Sequence, residues 1–107
     1  MLKKNYEFKT VLKKGICYKG DLINIYIRKR KDNRNLLGIA VSKKAGNSVK
    51  RNKIKRLIRE AYRSLEKNFK SGNEIVILWK KQIFFKNFDF HKIKKECEEI
   101  FIKSKIL

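Results

Sequence analysis

The chain of 107 residues is long enough for one hydrophobic core and too short for two, which excludes a multidomain enzyme and predicts a single domain over residues 1–107. Its 30 lysine and arginine residues outnumber 10 aspartate and glutamate residues, and the formal charge of +20 predicts a polyanionic partner, with nucleic acid favoured over an anionic membrane. An apolar fraction of 42% excludes a disordered basic tail.

A short amphipathic helix is the first predicted element. Asn5 is its predicted N-cap, and Phe8, Val11 and Leu12 form a narrow apolar face. Gly15 follows the last apolar residue, as is typical of a helix C-terminus.

Three β-strands are predicted after this helix. A weak strand covers residues 16–19, and residues 22–30 alternate between isoleucine and polar side chains, which places Tyr26 on the side away from the isoleucines. A polar turn then leads into a third β-like run at residues 36–41. The simplest interpretation pairs the last two runs as a β-hairpin over residues 22–42.

The second half of the chain predicts a long helix, a strand and a last helix. Residues 45–48 break the preceding strand and offer an N-cap, and apolar residues then recur at gaps of three and four: Ile54, Leu57, Ile58, Ala61, Tyr62, Leu65 and Phe69. Residues 75–79 are typical of a buried strand, and residues 90–101 predict a helix capped near Asn87 or Asp89. The order α-β-β-β-α-β-α predicts an α+β fold, with helices packed on a mainly antiparallel four-stranded sheet.

Positive charge is concentrated between residues 28 and 59. This segment contains 13 basic residues and one acidic residue, Asp32, and so carries +12 of the total charge. On a helical wheel, one group of polar and basic residues lies opposite the apolar face with two lysines beside it: Asn52, Arg56, Arg59 and Arg63, flanked by Lys53 and Lys55. The helix N-terminus adds a positive dipole end beside Lys43, Lys44 and Arg51, which favours phosphate.

This charge pattern indicates an RNA-binding helix more than a solvated one. Solvated faces mix charges, whereas only Glu60 interrupts the arginines here. DNA is disfavoured because no helix-turn-helix precedes the helix. RNA fits better, since guanidinium groups can bind the phosphates of a folded RNA through its shape.

The aromatic residues allow two interpretations. Phe8 and Tyr26 either line a groove on which unpaired bases stack or cover the second face of the sheet, and periodicity alone favours the second. The remaining aromatic side chains of the second half are expected in the core or packed beside it: Trp79, Phe84, Phe85, Phe88 and Phe90.

No catalytic residue or metal site is predicted, so any reaction is expected to belong to a partner. Three glutamates on the last helix are interpreted as solvated: Glu96, Glu98 and Glu99. Cys17, Cys97 and His91 lack the spacing of a zinc site, and both thiols are expected to be reduced and partly buried. No apolar run reaches the roughly 18 residues of a membrane span and no secretory signal is recognised, so a cytoplasmic location is expected.

The sequence of residues 41–59, VSKKAGNSVKRNKIKRLIR, closely resembles the signature of the bacterial ribonuclease P protein component. The element order, length and basicity agree with that family over essentially the whole chain. The resemblance implies a small subunit that binds a large catalytic RNA, the two together removing the 5′ leader of precursor transfer RNA. It implies that the RNA performs the hydrolysis with Mg²⁺, while the protein holds the leader and has no membrane or small-molecule partner.

The resemblance also implies site residues and one unusual connection. Positions that match the family's basic helix are expected to meet the RNA subunit: Arg51, Asn52, Lys53, Lys55, Arg56, Arg59 and Arg63. Positions that match the leader cleft are Phe8, Leu12, Tyr26, Ser42, Lys43, Lys44, Arg51 and Asn52, which for Phe8 and Tyr26 favours the groove interpretation. Leu12 stands where relatives often have phenylalanine. Lys53 stands where arginine is commoner, so the charge is kept but the two-pronged hydrogen bonding of a guanidinium group is lost. The β-α-β unit around the long helix is expected to cross over left-handed, against the usual rule.

Two alternatives to this function stay open at this point. A structural ribosomal or RNA-chaperone protein would share the charge but have no catalytic partnership. A basic protein on anionic membranes is disfavoured, because the apolar face of the long helix is needed for the core.

Overall fold

The computed structural model describes residues 5–70, 72–80 and 90–106. Three helices and four strands follow one another in the predicted order: α1 (Asn5–Lys14), β1 (Ile16–Lys19), β2 (Ile23–Lys29), β3 (Leu36–Ala40), α2 (Ser48–Glu66), β4 (Asn73–Trp79) and α3 (Phe90–Lys103). A single 3₁₀ turn, Lys43–Ala45, lies between β3 and α2. The predicted α+β class and element order are confirmed.

The four strands form one mixed sheet in the order β1-β2-β4-β3. β2 pairs antiparallel with β1 on one side and with β4 on the other, and β3 pairs parallel with β4. β3, α2 and β4 therefore form a β-α-β unit that joins adjacent parallel strands. The left-handed sense of that crossover stays a prediction of the family resemblance.

The predicted hairpin over residues 22–42 is wrong, because β4 lies between β2 and β3. Ile77 of β4 pairs with Ile25 on one side and Ile39 on the other. β4 is the most buried strand, and a strand buried on both faces is best placed between two neighbours. The connection from β2 to β3 instead crosses the end of β4, where the Arg30 amide donates to the Gly72 carbonyl at 2.7 Å.

Each face of the sheet is covered by different helices. The isoleucines of β2 and β4 pack with α2 and α3 in the main core, where Ile54, Ile58 and Phe101 are fully buried. On the opposite face, Val11 of α1 and Val76 of β4 form a smaller buried cluster. Helix α1 therefore covers the face away from α2.

Helix boundaries follow the sequence signals closely. Asn47 caps α2, its side-chain oxygen accepting from the Lys50 amide at 3.0 Å. The helix ends at Glu66, before the last predicted apolar residue, yet the ring of Phe69 still packs 5.3 Å from Tyr62 and 4.6 Å from Phe101. Trp79 is buried and Phe90 packs against the core, as expected. The predicted caps Asn87 and Asp89, and Phe84, Phe85 and Phe88, lie outside the described residues.

The prediction that all three glutamates of α3 are solvated is wrong for Glu96. Its carboxylate accepts from the Leu22 amide at 2.8 and 3.1 Å and from the Ile23 amide at 3.0 Å. A Cβ atom at Gly20 would overlap this carboxylate, so the glycine leaves the room that the contact needs. Glu98 and Glu99 are exposed as predicted.

Candidate nucleic-acid interface

The outward face of α2 carries most of the basic residues predicted to bind RNA. Burial of Ile54, Ile58 and Leu65 against the sheet and α3 fixes the rotation of this helix. The opposite side consequently faces solvent, with the following residues exposed or half-buried along it: Asn52, Lys53, Lys55, Arg56, Arg59 and Arg63. The predicted grouping of these side chains on one surface is confirmed.

The arginines on this surface are available to a partner. Arg59 and Arg63 form no ion pair with another described residue. Arg56 Nε lies 3.9 Å from Glu60 Oε1, but both side chains are more than half exposed, so this pair contributes little. The guanidinium groups can therefore exchange water for phosphate at small cost.

A tight turn places two lysines at the N-terminus of α2. Ser42 begins the turn, its hydroxyl accepting from the Lys44 amide at 3.2 Å, and the Gly46 amide closes it on the Lys43 carbonyl at 3.4 Å. Gly46 has a φ of 145°, which side chains rarely adopt, so glycine is needed here. Lys43 and Lys44 are exposed, and the first turn of α2 contains no acidic residue. The helix dipole and the lysines would therefore act together on a bound anion.

Arg51 differs from the other basic residues of this surface in its position on the helix and in its burial. The helical wheel puts it on the apolar side of α2, and the structure shows a half-buried residue there. Its Nε atom is buried and has no hydrogen-bond partner among the described residues. Leaving a buried donor of a charged group unpaired is costly, so an acceptor supplied by a ligand would be strongly favoured.

Phe8 and Tyr26 lie together on the sheet face covered by α1. Both are partly buried against Val11 and Val76, so they cover this face and also keep part of each ring accessible. Leu12 is 36% exposed one position beyond Val11. A hydrogen bond with Cys17, and then burial, raises the pKa of Tyr26, which keeps the phenol neutral. The two interpretations from the sequence are therefore compatible.

The sheet register relates this aromatic patch to the start of α2. Tyr26 pairs with Val76, and Val76 pairs with Gly38 of β3, so the three residues form one row across the sheet. Ser42 follows Gly38 by four residues, roughly 13 Å along the chain at strand spacing. At the other end, Arg63 lies about 18 Å along α2 from Arg51. The candidate interface therefore extends over two surfaces joined by the end of β3.

Part of the basic stretch before β3 is neutralised within the protein, which the sequence did not reveal. Arg30 donates to Asp32 at 2.8 and 2.7 Å and to Glu74 at 2.8 Å, and Arg28 lies 3.7 Å from Glu74. Hydrogen bonds from Arg30 and Arg34 hold the pKa of the Asp32 carboxyl well below its usual value. Glu74 is far from this stretch in sequence, and only the pairing of β2 with β4 brings them together.

The part of the chain that the structure describes offers no cluster of metal ligands. Residues 5–70, 72–80 and 90–106 contain no group of three histidine, cysteine or acidic residues that could hold a metal ion. Burial raises the pKa of the Cys97 thiol to about 12, so it is not a nucleophile at neutral pH. None of the described helices is both long and apolar enough to cross a membrane.

Comparison with known proteins gives one consistent family. Residues 1–105 match the sequence profile of the family Ribonuclease P. The chain is 38% identical to the ribonuclease P protein component of Natranaerobius thermophilus over 106 residues, which cover 99% of this chain and 90% of that protein. It is 42% identical to the component of Dictyoglomus turgidum over 107 residues, covering 99% and 89% of the two chains.

Solved structures show the same fold. The RNase P protein of Staphylococcus aureus superimposes with a TM-score of 0.85 at 31% identity, covering 98% of this chain and 94% of that one. The RNase P protein of Thermotoga maritima gives a TM-score of 0.86 at 26% identity, with 95% and 94% covered. The likeness in sequence and in structure extends over nearly the whole length of each protein.

Proposed function

Because this chain belongs to the Ribonuclease P protein family and so is a subunit of an endoribonuclease complex, we propose that it binds the catalytic RNA and the 5′ leader of precursor transfer RNA. In this proposal the assembled particle removes the leader in the cytoplasm and leaves the mature 5′ end. The protein raises affinity for the substrate and leaves the chemistry to the RNA.

The observation that carries the proposal is the cationic surface of α2 with its unpaired donors. Arg59 and Arg63 form no ion pair with another described residue, and the Arg51 Nε donor is buried without a partner. Phosphate oxygens are strong acceptors that match the guanidinium fork. A phosphate-rich partner would satisfy all three side chains and relieve the repulsion of a charge of +20.

The aromatic patch supports a separate role in holding the leader. Single-stranded RNA presents the faces of its bases, and half-buried rings such as Phe8 and Tyr26 offer stacking platforms that tolerate any sequence. Leu12 adds apolar contact without aromatic stacking. Ser42, Lys43 and Lys44 would guide the leader backbone from this patch toward Arg51 and Asn52.

The residues of this interface do not fit a bound Mg²⁺. That ion takes hard oxygen ligands in octahedral geometry, usually carboxylates, water and phosphate. The α2 surface offers mainly ammonium, guanidinium and amide groups. Its two carboxylates are separated along the helix, with Glu60 beside Arg56 and Glu66 at the last residue of α2. We therefore place the Mg²⁺ of the reaction with the RNA subunit and derive no step through the protein.

Reconstitution tests the proposal against its main alternative. The purified protein is added to the ribonuclease P RNA of the same organism at low Mg²⁺, and cleavage of a leader-bearing precursor is followed. We expect cleavage to rise sharply with added protein. A structural ribosomal or RNA-chaperone protein would bind RNA and leave this rate unchanged, and that result would sink the proposal.

A further inference from the structure

A small cavity lies beside α2, away from its N-terminus and from the aromatic patch. It has a volume of about 190 Å³ and lies between the second half of α2 and the beginning of β3. Six residues line it: Asn35, Leu37, Arg59, Tyr62, Arg63 and Glu66. The size is below the roughly 300–1,000 Å³ of pockets for whole small-molecule ligands, so it suits one part of a larger ligand.

Tyr62 is the unexplained residue of this cavity. It is only 3% exposed, and its hydroxyl oxygen is buried with no hydrogen-bond partner among the described residues. Its ring packs edge-on to Phe69 and Phe101, contacts that phenylalanine would make equally well. A buried tyrosine hydroxyl usually has a partner, and one without a partner costs stability. Packing therefore accounts for the ring and leaves the hydroxyl unexplained.

The other lining residues determine what chemistry would satisfy that hydroxyl. Arg59 and Arg63 line the cavity one helical turn apart and form no ion pair with another described residue, an arrangement that fits one phosphate. Leu37 supplies an apolar wall, and the Glu66 carboxylate can accept from an amino group or a ribose hydroxyl. Arg63 and Glu66 are exposed, so rotation of their side chains can admit a ligand group.

We propose that this cavity receives a single unpaired nucleotide of the RNA subunit, its phosphate between Arg59 and Arg63 and its base or ribose hydrogen-bonded to Tyr62. A paired nucleotide would keep its base inside the helical stack, whereas an unpaired one can be turned out and inserted. The inference rests on the proposed function, because it assumes that RNA binds the α2 surface. Under this inference, the α2 surface contacts RNA phosphates along its length and recognises one particular nucleotide at this cavity.

The variant Tyr62→Phe tests the site because it removes only the hydroxyl. We expect the free protein to keep or raise its melting temperature, since an unpaired buried group is lost. Binding to the ribonuclease P RNA of the same organism is expected to weaken about three- to tenfold, the value of one hydrogen bond. The salt dependence of binding should not change, because no charge is removed.

Two comparisons and a probing experiment complete the test. Tyr18→Phe removes the same group from a half-buried tyrosine that does not line this cavity, and we expect its RNA affinity to match that of the wild type. Arg63→Gln should reduce the log–log salt slope by about one. Chemical probing should show an unpaired nucleotide that the wild type protects and that becomes reactive in the Tyr62→Phe complex.

The outcomes separate this inference from the proposed function. Equal RNA affinity and equal protection with Tyr62→Phe would overturn the nucleotide site while leaving the function intact. A lower melting temperature for that variant would also overturn it, because the hydroxyl would then have a partner within the free protein. Failure of the wild type to bind the RNA at all would instead contradict the proposed function.

Discussion

Arg51 combines a charge with a buried and unpaired donor, so at this residue the kind of cation matters as well as the charge. Its Nε atom has no partner among the described residues, whereas the side chain of Arg56 is 63% exposed. Lysine keeps the charge but has a single donor group in place of the planar fork. The two arginines should therefore respond differently to the same substitution.

We expect Arg51→Lys to weaken binding of the ribonuclease P RNA about tenfold, the value of a charge-assisted hydrogen bond. Arg56→Lys should change the affinity by less than about threefold, since an exposed phosphate contact tolerates a point charge. Filter-binding titrations at one salt concentration measure both. Equal losses for the two variants would mean that the fork of Arg51 is not used.

Tyr26 is expected to contact the leader and not the body of transfer RNA. Tyr26→Leu keeps apolar cover over Val76 while removing the stacking platform. Base stacking on an aromatic side chain is worth about 1–3 kcal/mol, so the assembled particle should lose affinity for leader-bearing precursor. Affinity for mature transfer RNA should be retained. A similar loss for both substrates would place the leader elsewhere.

Sequence reasoning placed these residues on their elements but did not predict the contacts around them. The motif that contains Arg51 predicts that this residue binds RNA, and the wheel correctly placed it near the apolar side of α2. That its Nε lacks a partner depends on atoms from the packed structure, which periodicity does not specify. The unpaired hydroxyl of Tyr62 was missed for the same reason, because its position in the apolar pattern indicated only a core residue.

At the scale of elements, Glu96 joins α3 to the first residues of β2. Its carboxylate accepts hydrogen bonds from the backbone amides of Leu22 and Ile23, at the point where β2 begins. The contact links residues 74 positions apart in the chain, and Gly20 leaves room for it. It therefore helps to fix α3 on the sheet.

We expect Glu96→Ala to lower the free energy of unfolding by about 1–3 kcal/mol, because two part-buried amides lose their acceptor. For a domain of this size, that corresponds to a fall of several degrees in melting temperature. Glu98→Ala, on the exposed side of the same helix, should change stability by less than about 0.5 kcal/mol. Thermal denaturation of the two variants measures the difference, and equal stabilities would show that the Glu96 contact is not structural.

The elements themselves were predictable, and their pairing was not. Alternation located β2 and β3, and gaps of three and four located α2, because those signals are local to each segment. The choice of neighbour for β2 depends on β4, which lies more than 40 residues further along the chain. No feature of residues 22–42 distinguishes a hairpin from two strands separated by a third. The mixed sheet therefore emerged only from the complete structure.

At the scale of the whole molecule, the basic residues behind the charge of +20 differ in how far they are paired within the protein. Arg28, Arg30 and Arg34 are partly neutralised by Asp32 and Glu74, and their bonds hold the connection between β2 and β3. Among the described residues, the outward arginines of α2 form a single ion pair, the exposed contact of Arg56 with Glu60. The composition predicted a polyanion, but only the fold shows which cations are engaged within the protein and which remain available.

The central claim is that the α2 surface binds the catalytic RNA, and the salt dependence of that binding tests it most directly. The double variant Arg56→Gln/Arg63→Gln removes two cations from this surface, and Lys95→Gln/Lys103→Gln removes two exposed cations from α3. Our account predicts that the log–log slope of affinity against salt becomes shallower by about two in the first variant and is retained in the second. An unchanged slope for Arg56→Gln/Arg63→Gln would contradict it, because the RNA would then contact a different face of the protein.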